Sequence, residues 1–168
     1  MKGTRSVTRL IGGGDRGIAA TVYGTVLAMA ALAAGAVEHL SPDQLIAVVA
    51  TTSAVIWLAH VYSHGLGESI ERGHRLDWSE FTAIAGQELP ILAAAAAPVA
   101  VLLLGVFGVI DERPDIWLAF GLGFVALAVQ GTRYARVERL GAAGTAVVIA
   151  ANLALGGLVV LLKVLISH

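Results

Sequence analysis

Cysteine is absent from the 168 residues, which removes disulfides, thiolate metal sites and cysteine nucleophiles from consideration. Charge is scarce as well: 14% of residues are Asp, Glu, Lys or Arg, and the net charge of −1 argues nothing by itself, whereas its distribution along the chain does; no nucleic-acid partner is expected. There are only four prolines, and each of them can be placed. What the chain has instead is apolar surface: 57% of residues are hydrophobic and the mean hydropathy is +0.81. At this length a soluble domain buries roughly 60 to 70% of its unfolded surface, so a majority-apolar chain would be left with large sticky patches in water. A bilayer that solvates the outside removes that conflict.

Four stretches contain no formal charge over 20 or more residues: Gly17 to Val37, Gln44 to Ser63, Leu89 to Ile110 and Leu140 to Leu162. Each is long enough to cross a hydrocarbon core of about 30 Å at about 1.5 Å per residue. A fifth run, Ile116 to Thr132, sits at the short end of the spanning range and is bracketed by Asp115 and Arg133. The expectation is an all-α integral membrane bundle of five transmembrane helices, at about 17–37, 44–63, 82–110, 115–132 and 141–163. Residues 64–81 form a cytoplasmic amphipathic connection. The first run is too long for a signal peptide and is followed by further spans.

Basic residues are retained on the cytoplasmic side of a membrane. Lys2, Arg5, Arg9 and Arg16 precede the first span, Arg72 and Arg75 follow the second, and Arg133, Arg136 and Arg139 follow the fourth. The first connection, Glu38 to Asp43, has no Lys or Arg, and the third, Asp111 to Asp115, has only Arg113. This alternation predicts a multi-pass protein of the cell membrane with its N-terminus inside and its C-terminus outside. Five crossings satisfy it and four do not.

Local signals mark the helix ends. Ser41-Pro42-Asp43-Gln44 combines a capping serine, proline in the first turn and a glutamine three residues on. Pro114 opens the fourth helix in the same way. Asp77 and Glu80 have capping-box spacing, which starts the third helix near Trp78, an interfacial aromatic anchor. Pro90 and Pro98 each delete a backbone donor, predicting a kink around Ala93 to Ala97. Ala20, Gly24 and Ala28 recur at four-residue spacing, a small-residue seam for close helix packing inside the chain or at a dimer face. Thr51, Thr52, Gln130, Thr145 and Asn152 lie within spans and should face protein, where interhelical hydrogen bonding is their ordinary role.

The chemistry concentrates between the second and third spans. If the second helix continues past the membrane, His60, His64, Glu68, Glu71 and His74 fall within about 120° of one face at 100° per residue. Extended backward, the stripe reaches Ser53. Imidazole with carboxylate suits a borderline divalent ion such as Fe, Mn, Zn or Ni, and an i, i+4 histidine pair can chelate from one face. Alternatively Gly65 and Gly67 end the helix after His64 and leave these groups solvated. Glu71-Arg72-Gly73-His74 also reads as Glu-x-x-His, but a di-iron bundle needs that unit twice. Gln87 and Glu88 enter the bilayer edge beside Pro90, where a carboxylate is costly unless paired, hydrated or protonated, so Glu88 is the foremost functional candidate. Gly12 to Gly17 matches G-x-G-x-x-G without the preceding strand that a nucleotide site requires. Asp15, at the start of the first span, either caps that helix or serves as a cation ligand.

The opening Leu10-Ile-Gly-Gly-Gly-Asp-Arg-Gly17 and the Gly131-Thr-Arg-Tyr-Ala-Arg136 segment after the fourth span are similar to segments of the vacuolar iron transporter (VIT) family. That resemblance implies five spans in the same order, a cytoplasmic metal-binding connection after the second, and a functional role for Asp15. The connection here is shorter than the family's, and the methionine and glutamate of the family's second span are absent. His60 and His64 stand near their place.

The function expected is therefore transport of a divalent cation or proton-coupled solute. The predicted pathway is lined by Asp15, Ser53, Gln87, Glu88 and Asn152, and the predicted metal ligands are His60, His64, Glu68, Glu71, His74 and Glu88. The expected partners are the bilayer and further copies of the chain. A non-transporting assembly protein that binds a partner membrane protein through its small-residue seams is the alternative. A membrane metalloenzyme, which needs two complete ligand sets, ranks last.

Overall fold

A computed structural model describes residues 15–109 and 112–166; the basic tail up to Arg9, the first three glycines of the glycine-rich motif and part of the third connection lie outside them. The described residues form seven helices and no strand: α1 (Asp15–Val37), α2 (Pro42–Arg72), α3 (Trp78–Gln87), α4 (Leu89–Ala93), α5 (Ala96–Val106), α6 (Glu112–Val137) and α7 (Ala142–Ile166). Four of them, α1, α2, α6 and α7, are each long and apolar enough to cross a membrane. The stretches Trp78–Ala93 and Ala96–Val106 pass the same test together but are bent by 49°, the form of a broken span or of a re-entrant loop, and they stand where the sequence places the third span; four to five helices are thus long and apolar enough to span a membrane. The side chains of Asp15, Arg113 and Pro114 lie outside those described.

α1 is the centre of the bundle and packs on α2, α4, α6 and α7, while α5 fills the space between α2 and α6. The buried core runs along it: Ala28, Met29, Leu32 and Ala33 meet Leu45 and Val49 of α2, Ala95, Leu102 of α5, and Ala119, Phe120 and Leu127 of α6. Gly24 of the small-residue seam faces α4. A Cβ at this position would stand 2.6 Å from the Ile91 carbonyl oxygen and 2.8 Å from Ile91 Cα, so α1 and α4 touch backbone to backbone. In lipid, where apolar burial between helices gains little, such close approach is what holds helices together. The outward surface carries Val55, Leu58, Tyr62, Val125, Val129, Val147 and Leu158, all exposed. An apolar coat of this kind is tolerable where lipid covers it.

α2 does not stop at Gly65 or Gly67. It continues to Arg72 and ends at Gly73, whose φ of 69° is the left-handed conformation that glycine adopts without strain. Each internal glycine costs a helix about 1 kcal/mol, but Gly65 is buried against Leu76 and the helix is retained. Residues 64–72 are thus the last turns of a 31-residue helix, and the separate amphipathic connection expected over 64–81 reduces to the turn of residues 73–77. α3 starts where its capping box predicts: Asp77 Oδ1 accepts from the Glu80 amide at 2.8 Å and Glu80 Oε2 accepts from the Asp77 amide at 3.0 Å.

The third span breaks twice. Pro90 has no N–H to give the Gly86 carbonyl, and α3 ends at Gln87 with Glu88 (φ −88°, ψ −4°) as the joint to α4. Pro98 withholds the same donor from Ala94, and a second break at Ala94 and Ala95 separates α4 from α5 inside the predicted kink. Trp57 of α2 repairs part of the first break, since its Nε1 donates to the Ala85 carbonyl at 3.2 Å.

Two interhelical turns are near copies. Val37-Glu38-His39-Leu40 ends α1 and Val137-Glu138-Arg139-Leu140 ends α6. His39 and Arg139 both sit at positive φ, 54° and 55°. In each turn the leucine amide reaches back five residues, Leu40 to the Gly35 carbonyl at 3.1 Å and Leu140 to Ala135 at 2.8 Å. These are Schellman closures with a bulky residue in the left-handed position that glycine usually fills.

Candidate binding cleft at the break in the third span

The extension of α2 and the joint at Glu88 together frame an open cleft of roughly 410 Å³. His60, His64, Glu68 and Glu71 line it from α2, Ser63 and Gly67 fill the gaps between them, and Glu88 closes it from the other side. The helical stripe read from spacing is real through Glu71. His74 does not belong to it, because α2 ends at Gly73 and the chain turns away: His74 Nδ1 lies 2.8 Å from the Arg75 carbonyl, and its Nε2 is 4.0 Å from Glu80.

Each lining group has a definite partner. Glu88 Oε1 accepts from His64 Nδ1 at 2.9 Å, and Glu88 is the more buried of the two, with 14% of its side chain exposed against 32% for His64. A carboxylate so little exposed is costly unless paired, and His64 supplies the pairing. His60 Nδ1 lies 3.2 Å from the Ile56 carbonyl, and its ring packs at 4.8 Å on the ring of Tyr23 from α1. Glu68 accepts from Arg72 at 2.7 Å, and the other arm of Arg72 reaches Glu80 at 2.7 Å. Arg72 thus bridges the end of α2 to the first turn of α3. Glu71 makes no ion pair among the described residues.

Five of the six predicted metal ligands line this cleft, and His74 does not. Among the described residues no three His, Asp or Glu groups come close enough to hold a metal together. The reason is local: Glu68 is turned onto Arg72, Glu88 onto His64, and His74 leaves with the chain. The remaining pathway candidates also separate. Ser53 is buried two turns before His60 and does not line the cleft, and Gln87 is exposed beside it. Asn152 is an interhelical tie, its Nδ2 donating from α7 to the Leu127 carbonyl of α6 at 3.2 Å. The Asp15 side chain lies outside those described.

Two contributors were not anticipated from sequence. Tyr23 forms a wall against His60 from another helix, and Trp57 fixes α3 on α2 one helical turn below His60. The signal available for both was an aromatic residue with a polar end inside an otherwise aliphatic span.

Comparison with known protein families, with curated proteins and with solved structures finds no match to this chain.

Proposed function

We propose that this chain is a small polytopic membrane transport protein that carries a divalent cation, or a proton-coupled solute, through a vestibule at its cytoplasmic edge. The observation that carries the reading is the juxtaposition of the polar cleft with a broken span. His60, His64, Glu71 and Glu88 line one cleft where α3 gives way to α4. Discontinuous helices with polar groups at the break are the recurrent form of a transport site, since irregular backbone at membrane depth is tolerated only where it lines a cavity or is buried in protein.

The orientation proposed places the N-terminus and the cleft in the cytoplasm, supported by the basic residues flanking the even-numbered connections. With five crossings the twin turns at Leu40 and Leu140 fall on opposite sides. The α1–α2 and α6–α7 hairpins then run as an antiparallel pair around the broken span, the organisation common among secondary transporters.

Flux of Fe, Mn, Zn and Ni into proteoliposomes, with His60→Ala and Glu88→Ala as controls, tests the proposal. Flux that falls in both variants supports it, and the absence of flux for every ion and for protons sinks it. One observation favours assembly instead: α7 is the least buried of the four single helices long and apolar enough to span a membrane, and it turns Ala143, Ala146, Ala150 and Ala154 outward. A stoichiometric membrane partner at every purification would favour that alternative.

A further inference from the structure

We infer that His60 and His64 form a two-imidazole chelate for a borderline divalent cation through their Nε2 atoms, and that Glu88 is the positioning residue that aims His64 rather than a ligand. The inference deepens the transport reading above and rests on it for the ion's passage.

A carbonyl oxygen only accepts, so the contact with Ile56 places the hydrogen of His60 on Nδ1. An ionised carboxylate likewise only accepts, so the contact with Glu88 places the hydrogen of His64 on Nδ1. Both neutral imidazoles are then left with a free lone pair on Nε2, and both rings line the same cleft. A histidine whose Nδ1–H is held by a carboxylate or a backbone carbonyl is the usual form of a metal-binding imidazole, because the outer acceptor fixes the tautomer and raises the basicity of the other nitrogen. Here one ring has each kind of acceptor. The Tyr23 ring further restricts His60.

The i, i+4 spacing is the one at which two residues stack on a single helix face. Glu68 is neutralised by Arg72, whereas Glu71, which makes no ion pair among the described residues, supplies negative potential inside the cleft. With two protein nitrogens and an open cleft, water completes the coordination shell. Imidazole donors select zinc, nickel, cobalt or copper over magnesium and calcium, which prefer oxygen.

The test uses the full chain in detergent, loaded with Zn²⁺ for affinity by calorimetry and with Cu²⁺ for electron paramagnetic resonance, where nitrogen couplings count the bound imidazoles. Wild type should show two nitrogens, and His60→Ala or His64→Ala one, each with a loss of affinity beyond the roughly 10 to 100-fold that an outer-shell partner carries. Glu88→Ala should fall within that 10 to 100-fold range, and Glu88→Gln, whose amide oxygen still accepts from Nδ1–H, should recover most of it. Where an alanine variant is not monodisperse, His64→Gln and His60→Gln replace it. Unchanged binding in the double histidine variant overturns the chelate, and an unchanged affinity in Glu88→Ala overturns the positioning role. Flux that survives without either histidine overturns this site and leaves transport standing. Two-nitrogen binding without flux overturns transport and leaves the site.

Discussion

Glu88 accepts a 2.9 Å hydrogen bond from His64, and by that contact the first of the two breaks in the third span is tied to a helix that runs unbroken for 31 residues. α2 is the rigid rail, and α3 and α4 are the pieces fixed to it. Two further ties act on the same rail, Trp57 to the Ala85 carbonyl and Arg72 to Glu80.

If the pair acts as a unit, removing one partner removes the contact and removing the second adds little. His64→Ala and Glu88→Ala should each lower the unfolding free energy in micelles, and the double variant should be no worse than the poorer single one. The coupling expected lies within the range of about 0.5 to 3 kcal/mol for residues in contact. Strict additivity of the two losses would show that the contact contributes nothing.

The backbone contact between α1 and α4 gives a sharper steric prediction. Gly24→Ala should cost about 1 to 3 kcal/mol, because the new Cβ meets backbone atoms of Ile91 that cannot rotate away. Gly121→Ala is the control: it stands in α6 with nothing within 4 Å of its new Cβ. Thermal melting of the two variants should separate them clearly, and equal losses would place α1 elsewhere on α4.

The cap of α3 should be sensitive to acid in one direction. The Glu80 amide, and after it the Ser79 hydroxyl, hold the Asp77 carboxyl below the usual carboxylate range. A depressed native value means that stabilisation is fully present above the unfolded value of about 3.9 and is lost as pH falls through the native one. Hydrogen-exchange protection of the Glu80 amide should accordingly decline in that acidic window. Asp77→Asn, an equally good cap that does not titrate, should keep the protection and abolish its pH dependence. Persistence of the pH dependence in Asp77→Asn would assign it to another group.

The spans, their caps and the histidine stripe were legible because each depends on neighbours in sequence: charge-free runs, proline and capping residues, and a 3.6-residue period. The stripe was readable only as far as its helix, and Gly65 and Gly67 carried no information on where that helix ends. Packing of Gly65 under Leu76 decided it, and Gly73 marked the end. The pairing of His64 with Glu88, 24 residues apart, follows from the way α3 and α4 fold back on α2, and no local period encodes it. Tyr23 reaches His60 from the neighbouring helix α1, 37 residues earlier in the chain, which no local period encodes either. Spacing also counts residue types and not competitors: it placed Glu68 among the candidate ligands, where Arg72 takes it, and Glu88, read from its place beside Pro90, is taken by His64.

The last prediction concerns the joint itself. Pro90 leaves the Gly86 carbonyl without its helical donor, and this lets the chain pause at Glu88 before α4 begins. Pro90→Ala restores the donor, so α3 should run on into α4 and Glu88 should pass from a joint to a helix interior. The helix gains a hydrogen bond, and thermal stability should hold or rise. The carboxylate, however, loses the backbone geometry that aims it at His64 Nδ1. Affinity for Zn²⁺ should then fall by about tenfold, the lower end of the effect of an orienting partner, in a variant at least as stable as the wild type. A stable variant that binds as well as the wild type would show that the break serves the path of the chain and not the cleft.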